Sequence, residues 1–235
     1  MTGEARSNPI LVALDVPTAE EAVRLAQAVA PHVGGFKVGL ELLMGPGPAT
    51  VGALAQLGKP VFADAKLHDI PNTVRAAAEA LGRMGARWVT VHASGGRAQL
   101  EAAAEGLERG AGNRPVGVLA VTVLTSLDDA DLAQVGIAGT AGRQTSRLAK
   151  LAAASGAEGV ICSPKELGVV ASVASELLKV TPGIRLRDTP DDQKRVTTPE
   201  EAIARGANYL VIGRPITRAD DPTEAAARMA AALGG

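Results

Sequence analysis

Short apolar runs alternate with longer stretches in which apolar residues recur at helical spacing, from one end of the chain to the other. The runs are Ile10–Val16, Phe36–Leu40, Val61–Leu67, Trp88–His92, Val116–Leu124, Gly159–Cys162, Leu178–Thr181 and Tyr209–Ile212. Between them lie Ala19–Ala30, Thr73–Met84, Arg97–Arg109, Arg143–Ala154 and Pro199–Arg205, which predict helices. The runs are apolar throughout rather than alternating with polar residues, as expected of parallel strands buried on both faces. Strand–helix alternation over the whole length predicts βαβ units. Eight strand candidates point to a single α/β domain over residues 1–235, a (β/α)₈ TIM barrel. An open, doubly wound sheet accommodates the same pattern. The helix after the second run is short, about Ala49–Leu57, and Asp128–Gly142 reads as irregular apart from a helix start at Asp128–Asp131.

A Gly-Ala pair precedes three of the runs: Gly85-Ala86, Gly156-Ala157 and Gly206-Ala207. Glycine can take the left-handed turn that ends a helix, and alanine lets the chain enter the next strand closely. No shift in composition marks a linker.

Composition narrows the function. Aromatic residues make up only 2% of the chain against 46% hydrophobic, so Val, Leu, Ile and Ala must fill the core. The formal net charge of −1 gives no global field toward nucleic acid or membrane, so an anionic ligand needs a local cluster. The single cysteine, Cys162, cannot form an intrachain disulfide and reads as a small buried apolar residue. Residues 1–9 lack a basic-then-apolar leader pattern, and no apolar run approaches the ~18 residues of a membrane span, so a cytoplasmic location is expected. The three histidines show no metal-ligand spacing. His32 and His68 are given no role, and His92 is expected to make a structural hydrogen bond.

Polar residues interrupt the runs near their carboxyl ends, where a barrel builds its active site. The first run ends at Leu14-Asp15, the second opens Phe36-Lys37, and the third reads Asp64-Ala65-Lys66-Leu67-His68-Asp69-Ile70. Asp64 and Lys66 are two apart, which on a strand puts both side chains on one face. Charges in a buried strand are costly unless compensated. A structural ion pair, or Asp69 as a helix N-cap, would explain single members of the group. Four charges converging, Lys37 among them, point instead to a site.

The segment from Asp64 to Thr73 closely resembles the hallmark Asp-x-Lys-x-x-Asp-Ile of the orotidine 5′-monophosphate decarboxylase family. The resemblance extends from Leu14-Asp15 to Ile212-Gly213-Arg214-Pro215. It implies cofactor-independent decarboxylation of orotidine 5′-monophosphate to uridine 5′-monophosphate, the last step of pyrimidine nucleotide synthesis. It also implies Lys66 as proton donor, Asp64 beside the departing carboxylate, and a homodimer in which Asp69 and Thr73 reach the neighbouring site. Ile70 joins the substrate-binding residues. Asp15 and Lys37 match ribose-binding positions, with Lys37 bridging Asp15 to Asp64. The metal-dependent keto-sugar-phosphate decarboxylases of the same superfamily carry a glutamate on the second strand. A lysine there repels a cation, so no metal is expected.

The phosphate end is expected in the loops after the seventh and eighth strands, the recurrent phosphate site of such barrels. Gly213 allows backbone N–H groups to approach an oxyanion, and Arg214 can fork two hydrogen bonds onto it. The resemblance implies Arg185, Gln193, Gly213 and Arg214 as phosphate ligands and Thr125 as a contact to the base. Gln193 belongs to a loop, Leu186–Lys194, that lacks the glycine often seen in the family. Two other readings stand beside this one. A class I aldolase would use Lys66 as a Schiff-base nucleophile, which needs the neutral amine that flanking carboxylates disfavour. A non-catalytic nucleotide-phosphate binding barrel would have no use for the Asp64–Lys66 pair.

Overall fold

The computed structural model describes residues 8–184 and 197–234. Eight strands occur in the expected places: β1 (Ile10–Ala13), β2 (Gly35–Val38), β3 (Val61–Leu67), β4 (Trp88–His92), β5 (Gly117–Val121), β6 (Gly159–Ile161), β7 (Leu178–Thr181) and β8 (Tyr209–Ile212). The intervening α-helices are α1 (Ala19–Val29), α2 (Leu40–Met44), α3 (Ala49–Ala55), α4 (Pro71–Arg83), α5 (Arg97–Ala111) and α6 (Asp129–Gln134). They continue with α7 (Ala141–Ala153), α8 (Leu167–Val173), α9 (Pro199–Ala204), α10 (Arg214–Thr217) and α11 (Pro222–Ala231). Each strand pairs in parallel with the next, and β1 pairs with β8 through Leu11 and Val211, closing the barrel. That last pairing excludes the open doubly wound sheet.

Strand alternation creates two cores. Ile10, Val12, Phe36, Ala63 and Val89 face outward and pack under the helices in a continuous aliphatic layer. Leu11, Phe62, Trp88, Leu119, Val180 and Val211 point inward and fill the barrel. The inward series includes Lys37, Asp64 and Thr90, all buried, so the charges predicted for the site belong to the interior face.

The Gly-Ala repeat has one local structure at all three positions. Gly85, Gly156 and Gly206 take positive φ (103°, 74° and 96°), and the N–H of the following alanine reaches back to the carbonyl of Leu81, Ala152 or Ala202. This is the hydrogen bond that closes a Schellman turn. The next residue enters the barrel ladder: the N–H groups of Arg87, Glu158 and Asn208 donate to the carbonyls of Val61, Val118 and Lys179.

The region expected to be irregular contains α6, whose N-terminus is a reciprocal capping box of Asp128 and Asp131. Helices α2, α8, α10 and α11 have no counterpart among the predicted helical stretches. The first three have only 4 to 7 residues, whereas α11 is capped by Asp221 and packs Ala225, Ala226 and Met229 inward. Helices α4 and α5 cross very closely. A Cβ at Gly106 would lie 2.2 Å from the Arg75 carbonyl oxygen, and one at Gly110 would lie 2.1 Å from that of Glu79. This contact anchors α4, whose first turn follows directly from the Asp64–Ile70 segment. No helix among the described residues is long and apolar enough to cross a membrane.

Candidate active site

A cavity of about 290 Å³ opens at the carboxyl ends of the strands. Asp15, Lys37, Asp64 and Lys66 line one wall, and Val121, Val123, Ile161 and Val211 supply an apolar surface. Thr125, Gly183, Gly213 and Arg214 also border it. Seven of the predicted site residues therefore meet around one space. Asp69, Ile70 and Thr73 are exposed and do not line the cavity. Arg185, Gln193 and the loop Leu186–Lys194 lie outside the described residues, which resume at Thr197, the parallel bridge partner of Ile184.

The charges form an alternating chain. Lys37 Nζ lies 3.0 Å from Asp15 Oδ1 and 3.7 Å from Asp64 Oδ2, and the same Asp64 oxygen accepts from Lys66 Nζ at 2.7 Å. Asp64 and Lys37 are almost wholly buried. An ion contact near 4 Å is worth about 4 kcal/mol at an effective dielectric of 20. Burial costs several kcal/mol for each ion. One contact does not offset two burials, and the arrangement answers this by giving Asp64 two cations and a hydroxyl. Lys66 is the most accessible of the three inner members, with 31% of its side chain exposed.

The geometry of β3 departs from a regular strand where this chain is built. Ala63 pairs with Val89, but Val91 pairs with Leu67, so Asp64, Ala65 and Lys66 together stand opposite Thr90. At the end of this bulge Lys66 has φ of +47°, the only non-glycine positive φ among the described residues. Such a conformation costs of the order of 1–3 kcal/mol and persists where the surroundings impose it. Here the Lys66 N–H, displaced from the ladder, donates to Thr90 Oγ1 at 2.9 Å, and that hydroxyl donates to Asp64 Oδ1 at 2.9 Å.

Besides the apolar lining, three residues that support the charged segments were not among those predicted. Thr90 is one; a hydroxyl in the otherwise apolar strand Trp88–His92 was the available signal. Gln99 is buried in the first turn of α5, accepts from the Asp69 N–H at 3.2 Å and donates to the His92 carbonyl at 2.8 Å. Gly39 leaves room for the Asp15–Lys37 contact, since a Cβ there would meet Lys37 Nζ at 2.9 Å and Asp15 Oδ1 at 3.0 Å. Nothing in the local sequence distinguishes Gln99 or Gly39, because their partners are brought in by the fold.

The N-cap explanation of Asp69 fails. Helix α4 is capped by Ile70 without a side-chain hydrogen bond, and Asp69 Oδ1 accepts only from its neighbour's N–H at 2.6 Å. His92 lies 5.2 Å from His68, ring to ring, and burial, followed by His68 and Lys66, holds its pKa below the ordinary value. The hydrogen bond expected of its imidazole is not found among the described residues; only the His92 backbone carbonyl takes part, accepting from Gln99 Nε2. Cys162 is fully buried, as expected, and burial pushes its thiol up to about 12. No group of three or more His, Cys, Asp or Glu among the described residues could hold a metal ion.

Fold and site together define a (β/α)₈ barrel with an aspartate–lysine centre at the carboxyl ends of β1 to β3. Residues 8–229 match the orotidine 5′-phosphate decarboxylase / HUMPS family, and the chain belongs to that family. It is 50% identical over 232 residues to the orotidine 5′-phosphate decarboxylase of Paramagnetospirillum magneticum, covering 97% of this chain and 99% of that one. It is 51% identical over 229 residues to the enzyme of the same name from Anaeromyxobacter sp. strain K, with the same coverage. The crystal structure of orotidine 5′-phosphate decarboxylase from Lactobacillus acidophilus superimposes with a TM-score of 0.85 at 38% identity, covering 97% of this chain and all of the other.

Proposed function

We propose that this protein is a carboxy-lyase that converts orotidine 5′-monophosphate to uridine 5′-monophosphate, in pyrimidine synthesis, without metal or organic cofactor. The half-identical relatives carry that activity in their names. The observation that carries the mechanism is the alternating chain Asp15–Lys37–Asp64–Lys66 with its terminal ammonium at the cavity. Breaking the bond between C6 and the carboxylate leaves an electron pair on a ring carbon with no adjacent carbonyl or iminium sink. A fixed ammonium stabilises that charge, then delivers its proton to C6 as CO₂ departs, and solvent restores the lysine. Asp64 orients Lys66 and repels the substrate carboxylate.

Asp15 and Lys37 hold the ribose hydroxyls, and Thr125 meets the base. Gly213 and Arg214 take the phosphate, with Arg185 and Gln193. Lys37 disfavours a divalent cation at the position where the metal-dependent relatives place a glutamate. Asp69, Ile70 and Thr73 complete the partner's site in a homodimer; their exposure beside, rather than inside, the cavity of their own chain supports this reading.

The test is direct. Chelator-treated protein is mixed with orotidine 5′-monophosphate and the orotate absorbance followed. Loss of the chromophore with stoichiometric uridine 5′-monophosphate is expected, and an unchanged spectrum would overturn the assignment. Borohydride should trap no substrate on Lys66; trapping would favour Schiff-base chemistry.

A further inference from the structure

We infer that Thr90 is a positioning residue for the decarboxylation: its one hydroxyl ties the Lys66 backbone to the Asp64 carboxylate and so sets where the ammonium stands. This rests on the roles proposed above for Lys66 and Asp64.

In a regular parallel pair Lys66 would sit two residues past Asp64 on the same face, about 6.6 Å along the strand. The bulge breaks that geometry and removes the Lys66 N–H from its place in the β3–β4 ladder. A buried N–H must find another acceptor. Thr90 Oγ1 supplies it, from a side chain with no solvent exposure, and the hydroxyl's own proton is spent on Asp64 Oδ1. The direction of both bonds is forced. A backbone N–H can only donate and an ionised carboxylate can only accept, so a group that both accepts and donates is required between them. Asp64 thereby has one oxygen held by Thr90 and the other available to the two lysines. The far end of the segment is anchored separately, by Gln99 between Asp69 and His92. Loss of the Thr90 hydroxyl should therefore act on residues 64–66 and leave Asp69 in place.

The experiment compares Thr90→Val, which keeps the shape and removes the hydroxyl, with Thr90→Ser, which keeps the hydroxyl. Thr90→Ala is the second deletion should valine crowd the bulge. Turnover, affinity for uridine 5′-monophosphate, melting temperature and the crystal structure are measured for each. Thr90→Val should lower kcat about 100-fold with KM and product affinity within about threefold, while Thr90→Ser stays within about threefold of the parent in kcat. In the Thr90→Val crystal, Lys66 should leave positive φ and its Nζ should move off Asp64.

The inference is overturned if the valine variant turns over like the parent or the serine variant is as slow as valine. It is also overturned if Lys66 keeps its conformation and its contact without the hydroxyl. Failure of both the valine and alanine variants to fold would make Thr90 a structural residue and overturn it equally. Absence of turnover in the parent protein would instead sink the proposed function, and the Lys66 backbone in the crystals would still decide the positioning claim.

Discussion

The two ends of the barrel both carry ions, and they use them in opposite ways. At the amino end, Arg87 forms a two-pronged ion pair with Glu158, and Trp88 Nε1 donates to the same carboxylate at 2.9 Å. The Arg87 guanidinium lies 4.5 Å over the Trp88 ring, and Tyr209 meets that ring edge-on at 5.1 Å. Three donors occupy both oxygens of one acid, and the aromatic rings plug the barrel above it. At the carboxyl end, by contrast, the lysines and aspartates alternate around an open cavity, and the chain is bent into positive φ to bring them together. A saturated, one-to-one network contributes stability. An alternating one, held in a strained backbone with its last cation facing a cavity, is built to meet a further charge.

That contrast is open to attack at several points. The largest expected effect is at the carboxyl end: Lys66→Ala should lower kcat by more than about 10⁴-fold while uridine 5′-monophosphate still binds. Its melting temperature should stay within about 3 °C of the parent, because Lys37 still offsets Asp64. Normal turnover in that variant would remove Lys66 as the acid. Next comes the shared site. Lys66→Ala and Asp69→Ala subunits, each inactive, should recover about a quarter of parental activity when mixed to equilibrium, since half the dimers are hybrids with one intact site. Demonstrated hybrids without activity would place Asp69 in its own chain's site.

The amino end should show the reverse pattern. Glu158→Gln should cost about 2 kcal/mol, seen as a melting temperature lower by about 4–8 °C, with kcat within about twofold of the parent. A tenfold loss of kcat in folded protein would erase the division between the two ends. The smallest effect is on pH dependence. Because the pKa of His92 is lowered in the folded state, the unfolded chain binds more protons between that value and the ordinary 6.5. Stability therefore rises with pH across this window and declines as pH falls below 7. In denaturant titrations His92→Asn should flatten that decline, and an unchanged slope would mean that His92 is not the group responsible.

Legibility from sequence follows the range of the interactions. The strands and most of the long helices were visible because burial on both faces, or on one stripe, writes itself into neighbouring residues; α11, also long, went unpredicted. The charge cluster was visible for the same reason: Asp64 and Lys66 break an apolar run, and Lys37 breaks another. Strand ends were less visible. The run Ile10–Val16 is strand only to Ala13, and Val116–Leu124 only from Gly117 to Val121: Leu14 and Val16 join the helix-side core, while Val123 and Leu124 line the cavity. Thr90 left a trace, one hydroxyl in an apolar strand, but its meaning depended on a bulge in the strand beside it.

What this sequence determined on its own is the order of its strand–helix units, the left-handed glycine turns that feed β4, β6 and β8, and the set of charged residues that interrupt its apolar runs. Closure did not follow from that pattern, because an open sheet and a barrel bury the same runs; the pairing of Leu11 with Val211 decided it. The same-face rule placed Asp64 and Lys66 together, but their 2.7 Å contact comes from a bulge and a positive φ held by a partner 24 to 26 residues away, Thr90. Local patterns report what each segment must bury. Where a displaced N–H or a carboxylate finds its partner is settled only when the strands are side by side.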